Sequence, residues 1–282
     1  MSTPIATLGW RRDLPDWRDY TPTSREIQGM LRAFKRPRRG QAAPPACVDW
    51  REFCPPIRDQ EHLHACSSHA ALALLQYFER RANGRLLQPS ALFLYQMARR
   101  LIHETGDSGA DLRTTLKALL RFGAPPEVHH PYAVDLLQEE PAAFLFSYTQ
   151  EVAGIRYVRL DQRGGTGAET LESVRSFLAA GFLAAFGFPV ANSVAQDADI
   201  PLPTVFDSIR GGQALVAVGY DDHRVIRSTR GALLIRNSWG PNWGEAGYGW
   251  LPYAFIEQQL AVDFWTLIKS EWLDSGEFGL PR

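Results

Sequence analysis

The chain carries only three cysteines in 282 residues, Cys47, Cys54 and Cys66. That is too few for a disulfide framework and fits a reducing compartment. No apolar run approaches the ~18 residues that a membrane span needs. Residues 1–12 lack the apolar stretch of a secretory leader, so a cytoplasmic location is expected. Nor is there a surplus of one charge. Thirty Lys and Arg against 31 Asp and Glu leave a net charge of -1, which gives no reason to expect nucleic acid or membrane as a partner. Internal repeats and low-complexity tracts are missing as well. What remains is an ordinary globular composition, 45% hydrophobic and 22% charged. Its length suffices for one large domain or two lobes sharing a cleft.

The charge is unevenly spread. Residues 1–46 hold nine Lys/Arg against four acids, +5, which leaves -6 on the rest. An arm lying on an acidic body, a processing site at Lys35-Arg36-Pro37-Arg38-Arg39, and a solvated Pro/Arg-rich linker over 33–46 are all compatible with this pattern. Residues 8–22 read as extended chain, because prolines and alternating charges oppose a helix. Trp10, Leu14 and Trp17 are candidate anchors for this segment, and mobility is expected near residues 35–40. A short helix is expected over 24–34. Helical patterns follow at 66–82, 89–103 and 111–121, the last stopping at Gly123. From about residue 148 the pattern turns to strands, at 149–156, 183–190, 214–220, 232–236 and 263–269, with one more helix over 171–179. Helices first and strands later imply an α+β chain with a helical lobe and a β-rich lobe.

The most informative residues are 60–66, Gln-Glu-His-Leu-His-Ala-Cys. A thiol at the start of an alanine- and leucine-rich helix meets unpaired backbone N–H groups, which favour the thiolate. A glutamine six residues earlier can donate its amide to a developing oxyanion. Downstream come Gly-Gly-Gln-Ala-Leu-Val-Ala-Val-Gly-Tyr at 211–220 and Arg-Asn-Ser-Trp-Gly at 236–240. In this order the motifs resemble those of the papain-like cysteine peptidases. The resemblance covers roughly residues 47–270 and points to a bacterial-type branch. It implies a two-lobed fold, a helical lobe over about 47–147 and a β-barrel-like lobe over about 148–270 with the cleft between them. Residues 1–46 then form a propeptide-like or surface-wrapping extension, and 271–282 a tail. It further implies Cys66 as nucleophile, Gln60 as oxyanion donor and Asn237 as the residue that orients the base. Trp239 and Trp243 would cover that contact, and Gly109 would offer a backbone edge to an extended substrate. Peptide or protein substrates, a monomer, no cofactor and no metal are expected.

Several positions depart from the family pattern. Gln213 stands where the family has its general base, and a carboxamide is not basic near neutral pH. His64 replaces a small glycine at the substrate-facing edge and is a candidate substitute base. Residues His62, His64 and Cys66 have the alternate spacing of a metal loop, but no fourth ligand is evident. Ser67 replaces the large aromatic residue that many relatives carry after the nucleophile. Leu63 and the turn at 107–109 occupy the places of the family's usual disulfide. The readings left open are a peptidase impaired at its base, a pseudopeptidase that holds a peptide or small ligand, and a thiol-dependent acyltransferase working from activated thioesters.

Overall fold

The computed structural model describes residues 8–14, 16–32 and 44–279, without the side chains of 150 and 151. The N-terminal extension runs extended to a short helix, α1 (Arg25–Arg32). Strand β1 (Cys47–Asp49) precedes the three main helices. Helix α2 (Cys66–Asn83) is built on small and aliphatic residues, and every residue from Cys66 to Glu79 is buried. It ends at Gly84, whose φ of +66° returns its N–H to the carbonyls of Arg80 and Glu79, a conformation glycine takes without steric cost. Helix α3 (Ala91–Leu101) is capped by the Ser90 hydroxyl, which accepts from the Phe93 N–H. Helix α4 (Leu112–Phe122) is capped in the same way by the Asp111 carboxylate at Thr114. Each cap satisfies a donor that the first helical turn would otherwise leave unpaired.

The second half is one antiparallel sheet. Its strands are β2 (Arg156–Arg159), β3 (Ala184–Ala191), β4 (Ile209–Ile226), β5 (Thr229–Arg236), β6 (Tyr248–Pro252) and β7 (Val262–Ile268). They lie in the order β2-β7-β3-β4-β5-β6, with β1 added on β4. Between β2 and β3 runs α5 (Gly167–Ala179), opened by a reciprocal capping box of Thr166 and Glu169. Two short helices, α6 (Ala254–Glu257) and α7 (Ser270–Asp274), complete the chain. Helix α2 packs on β4, so the two halves meet along the helix that Cys66 opens.

The α+β, two-lobed architecture is the expected one, with local differences. Residues 149–156 are not a strand: a 3-10 segment spans Ala143–Val152 and the strand begins only at Arg156. β1 pairs with β4, so residues 47–49 belong with the sheet rather than with the helical half. Within the expected tail, the described residues 271–279 include a short helix that packs on the body. Trp272 is fully buried, stacks on Phe78 at 4.9 Å and donates its indole N–H to Glu79. In the extension, Trp10 packs on the core and Ile27 is fully buried, but Leu14 and Trp17 stay 77% and 83% exposed. They are not anchors. The basic stretch at 35–40 lies outside the described residues.

Because Trp272 ties the C-terminal turn to α2 both by stacking and by a hydrogen bond to a buried carboxylate, Trp272→Ala should cost about 3–5 kcal/mol. A lower urea midpoint with an unchanged slope would show it.

Candidate functional site

Cys66 occupies the first turn of α2, after Ala65, which offers no side-chain cap. The backbone N–H groups of Ala214, Gly9, Ser67 and Cys66 itself face its sulfur and favour the thiolate. Burial opposes them and wins: the sulfur is completely covered and the thiol is pushed up to about 11. The depressed pKa expected from the helix start therefore does not hold in this closed arrangement.

The cover is the N-terminal extension. Residues 8–11 run as a strap through the cleft and pair with both halves. The Trp10 N–H donates to the Gly212 carbonyl at 2.9 Å, and the Ala110 N–H donates to Gly9 at 3.1 Å. Trp10 and Ala110 form a parallel bridge. The pairing edge is Ala110, next to the expected Gly109, whose own N–H goes to the Tyr95 hydroxyl. Approach is very close there: a Cβ on Gly109 would lie 2.1 Å from the Gly9 oxygen, and one on Gly9 would lie 2.0 Å from the His64 oxygen. Gly109 also has φ +73°, so both space and backbone conformation call for glycine.

Beside Cys66 a buried amide cluster joins the lobes. Gln213, on β4, donates through Nε2 to Gln60 Oε1 at 2.9 Å, Asn237 Oδ1 at 3.1 Å and Ser238 Oγ at 3.2 Å. Gln60 accepts a further bond from the Ser238 hydroxyl at 2.7 Å, and its own Nε2 donates to the Leu63 carbonyl. The backbone N–H of Gln60 donates to Ser238. Gln60 and Gln213 are fully buried, and Asn237 nearly so. The indoles of Trp239 and Trp243 meet edge to face at 5.4 Å next to this cluster, and Trp243 donates to the Ala195 carbonyl. The sequence candidates Gln60, Gln213 and Asn237 are brought together, while Gln213 Oε1 is left buried without a partner.

His64 goes elsewhere. Its Nδ1 lies 2.9 Å from the Asp107 carboxylate and its N–H donates to the same group. Asp107 also accepts from the Tyr95 hydroxyl, which in turn accepts from the Gly109 N–H. This polar chain shapes the edge on which the strap lies. His69, one turn into α2, is buried with both ring nitrogens unpartnered, and burial pushes it down to about 3. It is neutral and a poor base. Among the described residues no group of three His, Cys, Asp or Glu converges as metal ligands, and His62, His64 and Cys66 do not form one. Ser67 is buried and accepts from the Thr115 hydroxyl, linking α2 to α4.

Sequence reasoning missed Ser238, although it stands inside the Asn-Ser-Trp-Gly run, and it missed the groups that fix the strap. Asp13 and Asp19 enter a nearly buried cluster with Arg113 on α4, Arg159 on β2, Asp161, and Asp263 on β7. Arg159 binds Asp13 and Asp263 directly, and the Asp13 N–H donates to Asp263 at 2.9 Å. Four carboxyls share two guanidiniums, so full ionisation would leave excess negative charge in a buried place. Burial, and then the charge of Asp13, raise Asp263 from 3.8 to about 8. Asp161 is raised as well, chiefly by burial.

A match to the papain family cysteine protease model spans residues 44–256. An uncharacterized peptidase C1-like protein of Acanthamoeba polyphaga mimivirus is 29% identical over 218 residues, 74% of this chain and 68% of that protein. The crystal structure of xylellain, a cysteine protease from Xylella fastidiosa, superposes with a TM-score of 0.74 at 31% identity, covering 93% of this chain and 96% of that one. The ragweed pollen allergen Amb a 11, a cysteine protease solved in its proform, shares the fold with a TM-score of 0.60 at 19% identity, over 82% of this chain and 68% of that one.

The acid cluster sets an expected pH dependence. Asp263 holds its proton more tightly folded than unfolded, so its contribution is full below pH 3.8 and is lost as pH rises through about 8. The melting temperature should fall between pH 5 and pH 9 by a few degrees, the effect of about 1–2 kcal/mol in a chain of this size. Asp263 sits at φ +60°, which asparagine tolerates, so Asp263→Asn should fold and give a shallower decline. An equally steep decline in that variant would assign the effect to other groups.

Proposed function

Since the chain belongs to the papain family of cysteine proteases, we propose that it is a member whose cleft holds a peptide segment against Cys66 but hydrolyses amides poorly. The observation that carries this reading is the hydrogen bond from Gln213 Nε2 to Asn237 Oδ1. It puts a carboxamide N–H where the family resemblance calls for an imidazole N–H. The frame is kept and the basic nitrogen is missing.

The chemistry explains the loss. Amide cleavage by a thiol needs the sulfur to lose its proton as it attacks, and the departing amine to gain one. Gln213 can hold a neighbour in place but can neither take nor return a proton. Gln60 remains placed to serve as oxyanion donor once its bond to Leu63 loosens, and that alone does not protonate a leaving amine. General acid–base catalysis contributes ~10²–10⁴ in rate, and groups of one catalytic unit fail together. An activated thioester, which leaves without needing a proton, would be less affected. The strap supports a holding role, because an extended segment already lies along both edges of the cleft. The ragweed relative was solved as a proform, in keeping with an N-terminal segment of this kind.

The test is Gln213→His in a Trp10→Ala background that loosens the strap, assayed on a fluorogenic peptide library. Hydrolysis should rise by at least ~10²-fold over the chain with Gln213 and vanish with Cys66→Ala. Robust hydrolysis by the chain with Gln213 in place, lost with Cys66→Ala, would overturn the reading. If that hydrolysis were lost with His64→Ala as well, the base would be His64, oriented by Asp107.

A further inference from the structure

Arg236, the last residue of β5, is a buried cation. Its guanidinium donates to the Pro55 and Pro56 carbonyls, at 2.6 Å each, and to the Tyr248 hydroxyl at 3.2 Å. Among the described residues no carboxylate pairs with it. The nearby Cys54 thiol cannot serve, because burial pushes it up to about 11 and keeps it neutral. A guanidinium out of water without a counter-charge is costly, and carbonyl dipoles offset that only in part. Beside it a cavity of about 20 Å³ lies between α2 and strands β4 and β5, with Arg58, His69, Gln76 and Ser238 in its walls. Arg58 is half-buried and pairs with Glu127 at 2.8 Å. One of the two cations is thus neutralised and the other is not.

His69 gives an independent sign. It lines the same cavity, is only 7% exposed, and neither ring nitrogen has a partner among the described residues. Burial first, then the charges of Arg58 and Arg236, keep the ring neutral, so one nitrogen carries an N–H to give. The Gln76 amide spends one N–H on the Leu87 carbonyl and has a second. Asn237 Oδ1, by contrast, already accepts from Gln213 and from the Ser238 N–H.

We propose that this cavity binds one small monovalent anion, a halide such as chloride, held between the lobes by Arg236, Arg58 and the His69 ring. Size and charge decide the class. A water needs about 10–15 Å³, so the space takes one water-sized or monatomic occupant and excludes a phosphate. A water would fit but would leave Arg236 uncompensated. A halide supplies the missing charge and accepts from several donors at once. Bound there, it would tie α2 to β5 behind Asn237 and Ser238. It needs no proton transfer at position 213 and so goes beyond the function proposed above without resting on it.

The test compares the full-length chain in sodium chloride or bromide with the same chain in sodium gluconate, at fixed ionic strength and pH. Gluconate is too large for the cavity. The melting temperature should rise saturably with halide, by roughly 3–6 °C at about twenty times the dissociation constant. Crystals soaked in bromide should show an anomalous peak within hydrogen-bond reach of His69 and of Arg236 or Arg58. Gln76→Glu sets a carboxylate of the chain's own in the cavity wall and should abolish the halide response. His69→Phe keeps the ring against Tyr132 and should weaken halide affinity roughly 3- to 10-fold, the effect of one lost hydrogen bond.

A melting temperature that does not saturate with halide, or a response that persists in full in Gln76→Glu, would overturn the site. So would bromide-soaked crystals without anomalous density in the cavity. Bromide density without a saturable shift in solution would mean an adventitious ion only, and would overturn it as well. Should Gln76→Glu fail to fold, His69→Phe and the bromide density decide. None of these measurements uses turnover. Robust hydrolysis by the chain with Gln213 in place would thus sink the impaired-peptidase reading while leaving the anion site standing.

Discussion

The site is organised by one nitrogen. Nε2 of Gln213 donates within 3.2 Å of three acceptors, on Gln60 from the helical half and on Asn237 and Ser238 from the sheet. An amide carries two N–H groups, so the three acceptors compete for them in a buried place, and any displacement leaves a buried acceptor unmet. This makes the junction stiff. It holds the segment before Cys66 against the segment after β5, and the backbone bond from Gln60 to Ser238 runs alongside it. The position of Cys66 relative to both halves depends on that junction more than on any contact of the thiol itself.

The strap is held by a different balance. Leu14 and Trp17 stay largely exposed, and two other side-chain contacts stand out. One is the indole of Trp10 against Gly187 and Gly212. The other is Asp13 and Asp19 against Arg113 and Arg159, a cluster whose members are nearly all out of water. Buried charges gain only when each is paired, and here the acids outnumber the guanidiniums. The raised Asp263 resolves the excess by keeping a proton. The strap is therefore fixed by shape at one end and by proton-dependent electrostatics at the other.

Legibility in the sequence followed distance along the chain. Gln60 and Cys66 share one short loop, and Gln213 and Asn237 lie on paired strands, β4 and β5, so motif order suffices to bring them together. The helices at 66–82 and 111–121 were legible because their caps and stop signals are local. Residues 149–156 were misread because their alternation suits a strand, while 3-10 turns claim the backbone up to Val152. Of the expected anchors Trp10 does pack on the core, while Leu14 and Trp17 were misread because apolar and aromatic residues suggest docking. The acids beside them found partners up to 250 residues away, as between Asp13 and Asp263, and no local pattern announces such a pairing. The thiol's raised pKa was hidden for the same reason: the helix start that favours the thiolate is local, and the burial that disfavours it comes with a strap from residues 8–11.

The neutral thiol, the glutamine and the strap are consistent with one another. A cysteine facing an imidazole tends toward an ion pair of thiolate and imidazolium, and covering such a pair with an uncharged segment would remove two charges from water. Gln213 offers no proton acceptor, so Cys66 stays protonated and burial costs little beyond lost hydration of a weak donor. The strap contributes only backbone N–H groups and an indole at this place, enough to cover a neutral thiol and too little to compensate buried ions. On the function proposed above, Gln213 does two things by one change of chemistry: it withholds the proton acceptor that turnover needs, and it lowers the cost of keeping the cleft closed.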